Sequence, residues 1–140
     1  MKFWDSSAVV GLLVREQETE RILSILRKDP EIMAWWATPI ECTSAIARRE
    51  REGHLDTVAV SQALHHLQEL SDSWQEVQPV EQIKEISFRL LRVHNLRTAD
   101  AMQLSAAILA SEQRPSSLGF VCLDERLASI AQREGFKVIV

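Results

Sequence analysis

Cysteine, glycine and long apolar runs are all scarce in this sequence, and each shortage closes off a class of protein. Cysteine occurs twice in 140 residues, as Cys42 and Cys122. Each lies in an apolar stretch with no CxxC or Cys/His ligand spacing around it, so two buried thiols in a reducing compartment are expected, not a disulfide or a zinc site. The four glycines include no GxGxxG and no Walker A loop, which argues against dinucleotide and P-loop nucleotide binding. GxSxG and HExxH are missing too, excluding a serine-hydrolase elbow and a zincin helix. No apolar run approaches the ~20 residues that span a bilayer, and the opening MKFWDSS has no apolar h-region. A soluble, cytoplasmic chain with no membrane partner is the expectation. Positive charge is also in deficit, with a formal net charge of −4. A strongly basic nucleic-acid binder would look different. If the substrate is RNA, local arginines and bound metal must offset the repulsion.

What remains is ordinary globular composition, 46% hydrophobic and 26% charged, and a length that suits one domain over 1–140. There are no repeats, low-complexity tracts or linkers. The hydrophobic pattern predicts strands over residues 2–4, 31–37, 74–78 (a weak edge strand), 118–123 and 136–140. Helices are predicted over 7–13, 18–27, 38–52, from Asp56 onward, and over 80–94, 98–110 and 124–133. Gly53 and Gly135 are the expected stops of two of them. Strand and helix alternate, which is the pattern of a parallel sheet covered by helices on both faces. The fold class expected is α/β, a three-layer α/β/α sandwich around a central, mostly parallel five-stranded sheet.

Ligands in such folds bind beyond the carboxyl ends of the strands, and acids collect there. Asp5 follows the first strand, Glu41 lies in the first turn of the helix after the second, and Asp124 follows the strand over 118–123. Asp100 opens a helix whose incoming strand is not visible in the pattern. Each acid has a plain alternative as a helix cap. Thr38-Pro39-Ile40-Glu41 reads as a capping box with Thr38 as N-cap, and Thr98 reads as the N-cap of the helix carrying Asp100. Taken together, carboxylates gathered on one sheet edge repel and raise one another's pKa, a cost that a divalent cation removes. Oxygen-rich sites select hard ions such as Mg²⁺ or Mn²⁺, and four acids could serve one or two of them.

Four segments carry a resemblance. Trp4-Asp5-Ser6-Ser7-Ala8, Thr38-Pro39-Ile40-Glu41, Leu96-Arg97-Thr98-Ala99-Asp100-Ala101 with Gln103-Leu104-Ser105-Ala106-Ala107 after it, and Leu123-Asp124-Glu125-Arg126-Leu127 occur in this order along the whole chain. They resemble the motifs of the PIN domain, and within it the VapC-type toxins of toxin–antitoxin pairs. The resemblance implies a PIN-like fold, with Asp5, Glu41, Asp100 and Asp124 as metal-binding acids. It implies Mg²⁺-dependent endonucleolytic cleavage of RNA, a homodimer, and a VapB-like antitoxin whose tail lies over the cleft.

Around these acids, Ser6 or Ser7 is expected to hold Asp5 or a metal water, or simply to cap. Thr98 resembles a family position beside the site. Arg97 is a candidate phosphate contact, or else a solvated surface arginine. Arg48, Arg49 and Arg51, on the helix of Glu41, are candidates for RNA or antitoxin contact, although the interleaved Glu50 and Glu52 suit a solvated face. His65 and His66 are adjacent and point to different faces, so they make no ligand pair. His94 is expected to pack, and Trp4, Trp35 and Trp36 to be core. The competing reading is a non-catalytic, flavodoxin-like regulatory or binding module, such as a phospho-acceptor domain, in which the acids only cap helices. The lack of a second acid beside Asp5 weakens the phospho-acceptor form of it.

Overall fold

The computed structural model describes all residues from 1 to 140. Five short strands, β1 (Lys2–Trp4), β2 (Ile32–Trp35), β3 (Gln75–Val77), β4 (Gly119–Val121) and β5 (Lys137–Ile139), form one sheet in the order β3-β2-β1-β4-β5. Every neighbouring pair is parallel. The helices are α1 (Ser6–Leu13), α2 (Thr19–Lys28), α3 (Thr38–Arg51), α4 (Thr57–Ser73), α5 (Glu81–Val93), α6 (Thr98–Ala110) and α7 (Glu125–Arg133), with a single 3₁₀ turn at Pro115–Ser117.

The strands are apolar on both sides because both sides are covered, as parallel sheets require. Phe3, Trp35 and Phe120 point into a core shared with Leu90 of α5, Leu104 of α6 and Leu127 of α7. Trp4, Ala34 and Val121 point the other way, toward Val9 of α1, Ile22 of α2, Cys42 of α3 and Leu67 of α4. The period-2 alternation of side chains along each strand thus sorts the seven helices into two layers.

Helix starts and stops follow local chemistry in part. Gly53 and Gly135 take positive φ, +80° and +101°, just beyond α3 and α7, as glycine at that position allows. Asp56 caps α4 by accepting from Ala59 N at 2.8 Å. The expected capping box of α3 does not form. Ala37 is the N-cap and makes no side-chain bond, because the Thr38 hydroxyl is turned into the interior to accept from Gln103. Thr98 likewise begins α6 and does not cap it, with Arg97 at the cap position. No strand precedes α6; it follows α5 directly through residues 94–97. Its small residues let it sit deep, and Ala101 and Leu104 to Ala107 are buried. Trp4 and Trp35 are core, but Trp36 is 46% exposed, since β2 ends at Trp35 and Trp36 falls in the turn.

One clasp fixes α7, and with it the loop that carries Asp124. Glu134, at the end of α7, accepts from both guanidinium nitrogens of Arg89 at 3.2 and 2.6 Å and pairs with His94 Nε2 at 2.7 Å. His94 is therefore a buried structural partner and not a ligand. At the other end, Arg126 donates to Asn95 O at 2.9 Å. The Arg89 hydrogen bonds hold the Glu134 carboxyl below its usual range against the cost of burial, and His94 adds to them. Because the folded-state pKa is depressed, this stabilisation is complete above the usual glutamate value of 4.5 and is lost as pH falls below it. Glu134→Gln should lower stability by about 1–2 kcal/mol at pH 7. In urea melts the gap to wild type should shrink below pH 4.5; a gap independent of pH would contradict the clasp.

Candidate active site

The sheet order places a crevice where strand order reverses, between β1 and β4, and α/β folds bind ligands outside the carboxyl ends of strands at such a point. Asp5 directly follows β1 and donates its backbone N–H to Val121 O of β4 at 3.1 Å. Asp124 follows β4 three residues after Val121. Two acids therefore flank the reversal itself. Glu41 arrives on the first turn of α3 and Asp100 on the first turn of α6. All four line one cavity of about 700 Å³, together with Ser6, Ser7, Arg48, Arg49 and Arg97. Arg51 and Thr98 are not among its lining residues.

Capping and cavity roles are divided atom by atom. Asp5 Oδ1 accepts from Ala8 N at 3.3 Å and from Ser7 Oγ at 2.7 Å, capping α1. Asp124 Oδ1 accepts from Arg126 N and Leu127 N, both at 3.0 Å, capping α7. The Oδ2 atom of each has no hydrogen-bond donor from the protein. Glu41 and Asp100 do not cap at all. Glu41 Oε1 accepts from Ser6 Oγ at 3.2 Å and Oε2 from Gln103 Nε2 at 2.8 Å. Asp100 accepts no hydrogen bond: Arg97 Nε lies at 3.9 Å, beyond hydrogen-bond range, and Arg97 and Arg126 act on it only through their charge.

Ser7 is the part that motif reading left undecided. While donating to Asp5, its hydroxyl accepts from Leu123 N at 2.9 Å and Asp124 N at 3.2 Å. One oxygen thus ties the end of β1 to the turn after β4. Gln103 was visible in the sequence only as part of a motif; here it reaches Glu41 from the turn of α6 that follows Asp100. Nothing in its spacing distinguishes it from a core residue.

Charge is held here at a cost. Burial pushes the Asp5 carboxyl up from 3.8 to about 7; bonds from Ser7 and Ala8 oppose the rise, and the charge on Asp124 adds to it. Glu41 is raised by burial and by Asp100, and Asp100 is raised by burial and by Asp124. Arginines stand at the edge. Arg49 pairs with Glu16 at 3.1 Å, Arg97 is largely exposed, and Arg48 makes no ion pair.

The donor chemistry fits a hard divalent ion. The available atoms are carboxylate oxygens, several of them without a hydrogen-bond donor, and the thiols nearby stay protonated, with Cys42 pushed up by burial to about 12. Both cysteines are free and buried, as expected. As the side chains stand, no three acids converge on a single point that could hold an ion.

A raised folded-state pKa makes the ionised acid destabilising, so metal-free stability should fall as pH rises from about 4 toward 7 and then level off. Asp5→Asn keeps the cap acceptor and removes the charge. It should abolish most of that decline, an effect of a few kcal/mol at pH 8. Denaturation in chelator across this range checks it; parallel curves for the two proteins would refute the burial of charge at Asp5.

No protein-family model matches the sequence, and no curated protein matches it. Solved structures do match its fold over nearly the whole chain. Mycobacterium tuberculosis VapC20, described as a sarcin–ricin loop cleaving toxin, aligns at TM-score 0.68 with 16% identity, over 97% of this chain and 96% of that one. FitAcB of Neisseria gonorrhoeae aligns at TM-score 0.66 with 16% identity, over 100% and 97%. A toxin–antitoxin complex from Klebsiella pneumoniae aligns at 0.66 with 15% identity, over 100% and 97%. At such identities the likeness is one of fold, and that fold is the PIN-like α/β/α sandwich.

Proposed function

We propose that this protein is a metal-dependent endoribonuclease of the VapC type, the toxin of a toxin–antitoxin pair. The observation that carries the reading is the gathering of Asp5, Glu41, Asp100 and Asp124 in one cavity at the β1/β4 reversal, three of them with raised pKa values and none hydrogen-bonded to a cationic side chain. Support also comes from the fold, which VapC20 and FitAcB share.

These four acids would hold one or two Mg²⁺ or Mn²⁺ ions, which supply Lewis acidity toward the phosphodiester and toward water. The chain contributes position and charge. Ser7 and Ser6 fix Asp5 and Glu41 without neutralising them. Arg48, Arg49 and Arg97 stand at the cavity wall, where RNA phosphates flanking the cleaved bond would lie, and they offset locally the net negative charge. The sheet order favours this reading over a phospho-acceptor module: flavodoxin-like receivers have the order 2-1-3-4-5, whereas the order here is 3-2-1-4-5.

Cleavage of a structured RNA should require Mg²⁺ or Mn²⁺. Asp5→Asn and Asp100→Asn should each slow it at least about a hundredfold with the fold intact by circular dichroism. Either ion should also raise the melting temperature. Cleavage that continues in excess chelator would remove the metal from the proposal.

Two partners belong to the same reading. A VapB-like antitoxin would cover the cleft, as the toxin–antitoxin nature of the neighbours suggests. A second copy of the chain would use α5, where Phe88 and Leu91, three residues apart on one helix face, are 63% and 38% exposed. Phe88→Glu should convert a dimer to a monomer in analytical sedimentation without unfolding it; a wild-type protein that sediments as a monomer at all concentrations would eliminate the second copy.

A further inference from the structure

We infer that Gln103 is a positioning residue for the metal site, setting Glu41 of α3 relative to Asp100 of α6; the inference rests on the nuclease reading above. Gln103 follows Asp100 by three residues on α6, so the two side chains lie on adjacent turns of one face. Its side chain is only 1% exposed. Nε2 donates to Glu41 Oε2 at 2.8 Å and to Thr38 Oγ1 at 3.0 Å, with Ser6 Oγ at 3.5 Å. The amide therefore bridges α6 to the first turn of α3 and to the start of α1, the three helices that flank the cavity beside Asp5.

The orientation of the amide follows from its neighbours. An ionised Glu41 can only accept, so the nitrogen must face it. The opposite atom, Oε1, is then buried with no partner at all. An orphaned buried acceptor is destabilising, and a methionine or leucine of similar size would avoid it. The amide's two donor bonds and its orphaned oxygen therefore act on stability in opposite directions, and stability alone gives little net reason for an amide here. Its donor hydrogens supply one: they fix the direction of a carboxylate that has no backbone cap, and they leave its charge available. Partners of this kind, one bond removed from a metal, commonly change its affinity 10–100-fold.

Mn²⁺ titration calorimetry on the purified full chain tests this, using wild type, Gln103→Met and Gln103→Leu, with metal-free melts in parallel. The expected result is Mn²⁺ binding weakened about 10–100-fold in both variants, with metal-free melting temperatures close to wild type, the relief of the orphaned oxygen offsetting the lost donor bonds. Wild-type Mn²⁺ affinity in a folded variant would overturn the inference and leave the nuclease reading standing. A lowered melting temperature with unchanged affinity, or failure of both variants to fold, would overturn it in favour of a purely structural role. A wild-type protein that binds no Mn²⁺ would instead sink the nuclease reading, and this inference with it.

Discussion

The constraint on which the site depends is the refusal of buried carboxylates to share a small space while ionised. The protein contains two populations of acid that respond to it in opposite ways. Asp29 pairs with the Met1 amino group at 2.6 Å and Lys2 Nζ at 2.7 Å and is lowered to about 2. Glu134 is lowered by Arg89 and His94. These acids join elements together and their charge is spent in doing so. Asp5, Glu41 and Asp100 are raised. Asp5 and Glu41 are bonded to hydroxyls, a backbone N–H or an amide, Asp100 to no donor, and none of the three accepts a hydrogen bond from a cationic side chain.

That distinction explains why neutral donors surround the cavity. A guanidinium in place of Ser7 or Gln103 would hold an acid as firmly, but it would also neutralise the negative charge of the cavity. A hydroxyl or amide fixes direction while leaving most of the charge in place. The arginines that do approach stand one step back, with Arg49 engaged by Glu16 and Arg97 at 3.9 Å from Asp100. The cavity thus has four acids and three arginines in one lining.

Much of the fold was legible because it is written as period. The five strands and seven helices follow from alternation, helical spacing and the stops at Gly53 and Gly135. The acids were legible as residues at strand ends, and capping was correctly read at Asp5 and Asp124. It was misread at Thr38 and Thr98 because a capping box is a local pattern, and at Thr38 the competing partner, Gln103, lies 65 positions away in sequence. Trp36 was misjudged for the same kind of reason, since a strand that ends one residue earlier moves a tryptophan from core to surface. Of the arginine run, Arg48 shares the face of Glu41 as its spacing of seven implies, Arg49 also reaches the cavity, and Arg51 lies off it.

Topology makes the acids neighbours, and it does so by one exchange of strand order. The chain lays β2 and β3 on one side of β1, then returns to place β4 on the other. At that reversal the turns after β1 and β4 diverge to opposite faces, and the crevice between them is left without a crossing connection. Ser7 spans it with a single oxygen bonded to both turns. α3 and α6, one from each helical layer, then carry Glu41 and Asp100 to the same opening, and Gln103 links them across it. Four acids spread over 120 residues of sequence thus need only a strand reversal and a few neutral hydrogen bonds to meet. Burial and the mutual repulsion that results are what raise Asp5, Glu41 and Asp100 above the usual carboxylate range.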